Sequence, residues 1–280
     1  MGDLDGRTFL ITGANTGIGL ETARALAGRG ARLFLAVRSE ERGRQAIEEI
    51  ATQTGNRNLE LLSLDLGDLD SVRRCAETFL ATGAPLHVLI NNAGLAGAHG
   101  MTASGFEIAF GTNHVGPFLL TALLLDRLRL SAPARIVNVA SVAHYNASGI
   151  DWNAVRRRTR SFTGMREYSV SKLANVLHAQ ELGRRLDGTG VTACALHPGT
   201  IASDIWRRVP WPLRPLMTRR MKSPREGART SVYCATAPEL AGETGGYYVD
   251  CRPQAPAASA TLTLAGELWR RSSEWTAAGG

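Results

Sequence analysis

The feature that most constrains this chain is its rhythm: a short apolar run, a turn, then a longer segment with a period near 3.6, repeated along the sequence. Thr8–Thr12, Arg32–Val37, Leu59–Leu64, Val88–Asn91, Arg135–Val139, Val191–Leu196 and Tyr247–Val249 read as strands. Gly17–Gly30, Glu40–Thr54, Leu69–Thr82, Phe106–Leu130 and Tyr168–Leu186 read as helices between them. Strands that are apolar along their whole length have both faces covered, which is the pattern of a parallel sheet between helices. Right-handed crossovers then wind the helices onto both faces. The expected fold is α/β: one doubly wound domain over residues 1–280, with about seven parallel strands. Two intervals break the rhythm. Residues 147–165 are too many for a tight connection, and residues 200–224 carry four prolines. Long loops at the carboxyl ends of parallel strands are where such folds bind ligands, so the second is read as the substrate-side loop. Residues 251–280 form a C-terminal extension, with an extra helix expected near Ala258–Trp275.

Composition narrows the function classes. The 280 residues are 44% apolar and 20% charged, ordinary values for a soluble globular chain. The longest strongly apolar stretch, Phe118 to Leu125, is far short of the roughly 20 residues that span a bilayer. No leader pattern opens the sequence, and Cys75, Cys194, Cys234 and Cys251 lack metal-site spacing. The expectation is a cytoplasmic protein with reduced thiols and no metal. The net charge of +7 concentrates at Arg156–Arg160 and between Ile205 and Arg225. Neither stretch has the pattern of a nucleic-acid module, so no nucleic-acid partner is expected. A weak peripheral membrane contact at 205–225 stays open.

Thr12-Gly13-Ala14-Asn15-Thr16-Gly17-Ile18-Gly19 joins the first strand to the first helix. Gly13 permits a sharp turn, Gly17 a close backbone approach to a pyrophosphate, and Gly19 tight packing of helix on strand. The helix N-terminus offers free N–H groups to the phosphates. The pattern is the one expected of the phosphate loop of a Rossmann domain, the alternative being a purely structural glycine-rich turn. At the end of the second strand stands Arg38, where an acidic residue would bind a ribose 2′-hydroxyl and repel a 2′-phosphate. The missing acid, and an arginine able to pair with phosphate, favour NADP(H) over NAD(H).

Of the 32 basic residues only Lys172 and Lys222 are lysine. Lys172 lies four positions after Tyr168, on the same face of a helix. A phenol is a poor base at neutral pH, and a nearby cation is expected to lower its pKa. Tyr168 then protonates a carbonyl oxygen, or deprotonates an alcohol, with Lys172 tuning it. Ser141 follows the fifth strand, at the carboxyl edge, where its hydroxyl reaches a substrate oxygen. Asn113 lies in an apolar helical stretch. It is either a satisfied core polar group or the holder of a water that relays protons to Lys172.

These residues carry a resemblance. Thr12–Gly19, Asn91-Asn92-Ala93-Gly94, the set Asn113, Ser141, Tyr168 and Lys172, and Pro198-Gly199 occur in the order of the motifs of the short-chain dehydrogenase/reductase superfamily. Phrases such as Ser171-Lys172-Leu173-Ala174-Asn175-Val176-Leu177, and the long interval from Ser141 to Tyr168, resemble the retinol dehydrogenase group and related bacterial reductases. The resemblance implies an oxidoreductase with Asn113, Ser141, Tyr168 and Lys172 as its catalytic tetrad. It implies that Asp65 and Leu66 border the adenine of the cofactor and that Asn92, Ala93 and Gly94 border the adenine ribose. Asn91 would brace the fourth strand. The backbone from Pro198 through Gly199 to Ile201 would meet the nicotinamide amide, and Ser203 stands where the family often has threonine.

The expected reaction interconverts a small hydrophobic aldehyde or ketone and its alcohol. Trp206, Trp211, Leu213 and Met217 in the substrate-side loop are the candidate pocket wall. The alternatives are a non-catalytic NADP(H)-binding redox sensor and, within the superfamily, a protochlorophyllide-type reductase. Monomer and homodimer both remain open.

Overall fold

The first strand, β1 (Thr8–Thr12), is buried at every residue. It therefore needs cover on both faces and hydrogen-bonded neighbours on both edges. The computed structural model, which describes residues 2–199 and 223–277, supplies both. Beside β1 lie β2 (Arg32–Val37) and β4 (Val88–Asn91), both parallel to it. With β3 (Leu59–Ser63), β5 (Ala134–Val139), β6 (Val191–His197), β7 (Tyr247–Val249) and β8 (Arg252–Pro253), the sheet order is β3-β2-β1-β4-β5-β6-β7-β8. Seven strands are parallel, as expected. The eighth, β8, is a two-residue antiparallel edge formed where the chain turns back after β7. Asp250 and Cys251 take positive φ in that turn, at 49° and 61°.

Side-chain alternation divides the core into two layers. On one face Ile11, Leu33 and Leu35 pack beneath α1 (Gly17–Ala27), α2 (Glu40–Thr54) and α6 (Pro224–Thr236). On the other, Leu10, Phe34, Leu89 and Ile136 pack beneath α3 (Leu69–Ala81), α4 (Ile108–Leu130) and α5 (Met165–Arg185). A final helix, α7 (Leu262–Ala277), lies over α4 and α5. Its Trp275 ring meets Phe106 and Phe110 at centroid distances of 5.5 and 6.1 Å.

Helix α4 is long and apolar enough to cross a membrane, but 72% of its most apolar window is buried inside the fold. It is also irregular. A turn at Ile108–Phe110 leads into a π turn, Gly111–Val115, before regular helix resumes at Gly116–Leu130. Gly116 fits this path because a Cβ there would meet the Leu66 carbonyl oxygen at 2.3 Å.

The strand order reverses between β1 and β4. At such a switch point the loops leaving the carboxyl ends diverge and open a crevice. The loops after β1, β4, β5 and β6 all leave from that end. Helix α6 lies outside the sequence expectation, although its start is well marked. Ser223 and Glu226 form a capping box and Pro224 occupies the first turn.

Candidate active site

The phosphate loop needs glycine for three different reasons. Gly13 has φ +66°, and a Cβ there would lie 2.9 Å from that of Ala93. Gly17 has φ +56°, with open space where its side chain would be. Gly19 has no room at all: a Cβ would lie 2.3 Å from the Gly13 carbonyl oxygen and 2.5 Å from Asn92 Nδ2. Helix α1 carries no acidic residue in its first turn, so its positive end is not countered there. The Thr12 hydroxyl accepts from the backbone N–H groups of Asn92 and Ala93, at 3.0 and 2.9 Å. Asn92 Nδ2 in turn donates to the Thr12 carbonyl at 2.8 Å. The loops after β1 and β4 are thereby joined into one floor. Such a floor of small residues, bare backbone and a helix N-terminus fits a dinucleotide pyrophosphate.

The other candidate cofactor contacts surround this floor. Arg38 is exposed directly after β2, and among the described residues no hydrogen bond or ion pair engages its guanidinium. Asp65 is half-buried after β3, where its carboxylate accepts from the Gly67 N–H at 2.8 Å. Leu66 is buried beside it. Pro198 and Gly199 follow β6, with Gly199 at φ +98°. Ile201, Ser203, Trp206, Trp211, Leu213 and Met217 lie outside the described residues.

Deeper in the crevice the four candidate catalytic residues converge. Lys172 is buried, 3% exposed, and its ammonium donates to the Val139 carbonyl at 2.9 Å. The same ammonium lies 5.6 Å from the centre of the Tyr168 ring. Ser141 hydrogen-bonds Tyr168 and caps the short turn Val142–Asn146, accepting from the Ala143 N–H at 3.2 Å. The Asn113 amide grips the Leu95 backbone from both sides: Oδ1 accepts from its N–H and Nδ2 donates to its carbonyl, each at 2.9 Å. Nδ2 also donates to Ser171 Oγ at 2.9 Å. Both Asn113 N–H groups are thus engaged, and one lone pair of Oδ1 is left for a water. Gly94 closes the group. A Cβ there would lie 3.2 Å from both Asn113 Oδ1 and Lys172 Nζ.

The electrostatics correct one expectation. Burial raises the Tyr168 phenol above its ordinary value, and the Ser141 hydrogen bond opposes this. The net shift of the phenol is therefore upward, not the lowering expected from Lys172, and burial acts on the lysine as well. It brings Lys172 down to about 8, which weakens its claim to a permanent charge.

Several supporting residues carried no signal in the sequence. Ser171 bridges Asn113 and the Tyr168 carbonyl, to which it donates at 2.7 Å. Asn175 gives Val139 a second donor at 3.2 Å. His144 Nε2 accepts from the Ala257 N–H at 3.1 Å, so Nδ1 carries the proton and donates to the Ser141 carbonyl at 2.7 Å. Asn91, read as a brace, donates to Thr121 Oγ1 and Asn138 Oδ1 at 3.0 and 2.9 Å, tying β4 to α4 and β5.

A doubly wound sheet with a glycine phosphate loop and a Ser–Tyr–Lys–Asn group at its switch point defines a class, and the comparison with known families agrees. Residues 7–211 match the short chain dehydrogenase family, and the chain belongs to that family. It is a dehydrogenase/reductase acting on CH–OH groups. It is 48% identical to human (Homo sapiens) retinol dehydrogenase 12 over 89% of this chain and 79% of that one. A solved protein from Mycobacterium Paratuberculosis is 34% identical, covering 99% of this chain and 98% of that one with a TM-score of 0.78. A variant of actinorhodin polyketide ketoreductase, solved with NADPH, is 26% identical with a TM-score of 0.68, over 89% of this chain and 97% of that one.

Proposed function

We propose that this dehydrogenase/reductase interconverts a hydrophobic aldehyde or ketone and its alcohol with NADP(H), using Tyr168 as the proton donor and acceptor. The observation that carries the reading is the convergence of Ser141, Tyr168 and Lys172 beside the phosphate-loop floor. Gly13, Gly17 and Gly19 with the α1 N-terminus hold the pyrophosphate, Asp65 and Leu66 border the adenine, and Asn92, Ala93 and Gly94 border its ribose. Arg38 reads the 2′-phosphate: it is exposed, and no carboxylate replaces it after β2. When bound, the nicotinamide supplies or accepts the hydride. In reduction, the Tyr168 hydroxyl donates its proton to the carbonyl oxygen, while the Ser141 hydroxyl holds that oxygen by a hydrogen bond. A phenol raised by burial rests in its protonated form, which suits the reductive direction. Lys172 stabilises the transient phenolate and returns its proton, with Asn113 holding the relaying water through its remaining lone pair. Pro198 and Gly199 border the nicotinamide side. The substrate's apolar part is assigned to Trp206, Trp211, Leu213 and Met217. The retinol dehydrogenase relative supports a lipophilic carbonyl or alcohol as the substrate class.

The test is NADPH oxidation over a panel of carbonyls by wild type and Tyr168→Phe. Loss of turnover with retained NADPH binding is the expected result. Full activity in the variant refutes the proton role.

A further inference from the structure

The insertion between β5 and α5 contains the most exposed large apolar side chain among the described residues. Phe162 is 97% exposed. A floppy loop would make that unremarkable, but this turn is held in place. The Glu167 carboxylate accepts from the backbone N–H groups of Arg160 and Ser161, at 3.1 and 2.9 Å, and from the Ser161 hydroxyl. His99 Nε2, in the loop after β4, hydrogen-bonds the Ser161 carbonyl at 3.0 Å. On the other side Gly164 has φ +67° and sits against the loop after β4, where a Cβ would lie 2.9 Å from the Ala98 carbonyl oxygen. Phe162 is therefore presented to solvent by a turn fixed at both ends.

Its surroundings are basic. Arg157, Arg158, Arg160 and Arg166 are exposed within five positions of it in sequence, and Met165, three positions on, is 43% exposed. Between residues 151 and 167 there are five arginines and two carboxylates. One carboxylate, Glu167, is turned inward to hold the turn. The other, Asp151, faces Arg157 and Arg166. The fifth arginine, Arg156, is folded back over the Phe106 ring at 4.1 Å, so it belongs to the base of the finger and not to its tip.

An exposed aromatic ring in an arginine-rich exposed segment matches an anionic bilayer surface: the ring enters the acyl boundary and the guanidinium groups meet lipid phosphates. We infer that residues 157–166 are a docking finger for an anionic membrane surface, with Phe162 as its apolar anchor. Helix α5 begins at Met165, and Tyr168 follows within its first turn. The finger thus sets the crevice mouth against the surface to which it docks.

The test is co-sedimentation of the full chain with vesicles of phosphatidylcholine alone and with vesicles containing phosphatidylserine. Wild type should pellet with the anionic vesicles only, and less as salt is raised. Phe162→Ser should weaken binding about tenfold, the effect of losing one buried aromatic ring. The triple variant Arg157→Ala/Arg158→Ala/Arg160→Ala should weaken it on the order of a hundredfold, at about fivefold per charge. No wild-type binding, equal binding to neutral vesicles, or full binding by both variants would each overturn the proposal. The last outcome would place the contact elsewhere on the chain, and the first would leave an acidic protein as the partner of the patch. Vesicle binding needs neither cofactor nor substrate, so its failure and that of the catalytic reading are distinguishable. Turnover of a water-soluble carbonyl should be the same in both variants as in wild type.

Discussion

The buried Lys172 ammonium donates to the carbonyl oxygen of Val139, the last residue of β5, across 2.9 Å. That bond fixes the lysine between strand and helix, and it has an energetic side. Burial lowers Lys172 from 10.5 to about 8. The unfolded chain therefore binds a proton that the folded chain releases between about pH 8 and 10.5. Below that window the buried charge costs the fold on the order of 3 kcal/mol, and the cost is relieved as pH rises through it.

Lys172→Met should accordingly be more stable than wild type at neutral pH, by about 1–3 kcal/mol, and inactive. Val139 keeps a donor in Asn175, so no orphaned carbonyl offsets the gain. The advantage should shrink as pH rises from 8 toward 10.5. Denaturant midpoints at several pH values check this. A variant less stable than wild type at pH 7 would show that the bond outweighs the desolvation.

Gly94→Ala should leave the fold intact and reduce turnover about tenfold or more. The added methyl meets Asn113 Oδ1 and Lys172 Nζ at 3.2 Å, so both must shift by a few tenths of an ångström. Small displacements of catalytic groups carry large rate penalties. Unchanged melting with reduced kcat is the expected pair of readings; unchanged kcat would mean the cleft yields without consequence.

Arg38→Ala should raise the KM for NADPH by one to two orders of magnitude and that for NADH far less, because a guanidinium–phosphate pair is charge-assisted and often bidentate. Steady-state kinetics with both cofactors decide it. Equal losses would remove Arg38 from the 2′-phosphate.

Glu107→Ala should cost about 2 kcal/mol and loosen the insertion. Its buried carboxylate caps α4, accepting from the Ala109 and Phe110 N–H groups at 2.8 Å each, and it also receives the Thr159 hydroxyl. Faster tryptic cleavage at Arg157 or Arg158, alongside an earlier denaturation midpoint, is the signature. Cleavage at the wild-type rate would show that the insertion holds without this anchor.

The strand rhythm was legible because period and burial agree: Ile11, Leu33 and Ile90 are apolar wherever the parallel sheet buries them. The phosphate loop was legible because its glycines answer to local backbone geometry. Gly94 appeared as part of a motif, but its reason did not, since the atoms that crowd a side chain there come from two helices far along the chain. The behaviour of Tyr168 was misread for a similar cause. A four-residue spacing reports proximity to Lys172, whereas the depth of burial that raises the phenol depends on the whole fold. Helix α6 did carry a readable start at Ser223–Glu226, lost among the prolines and arginines that precede it.

The π turn at Gly111–Val115 has a further consequence. It places one extra residue in a helical circuit, an angular offset of about 100° between the segments before and after it. Asn113 stands inside that offset. No substitution along a regular helix would deliver its amide to Leu95 and Ser171, but a change in length does. The site's asparagine thus descends from chain length as much as from residue identity. Deleting a single neighbour, with every functional side chain kept, would rotate it out of reach.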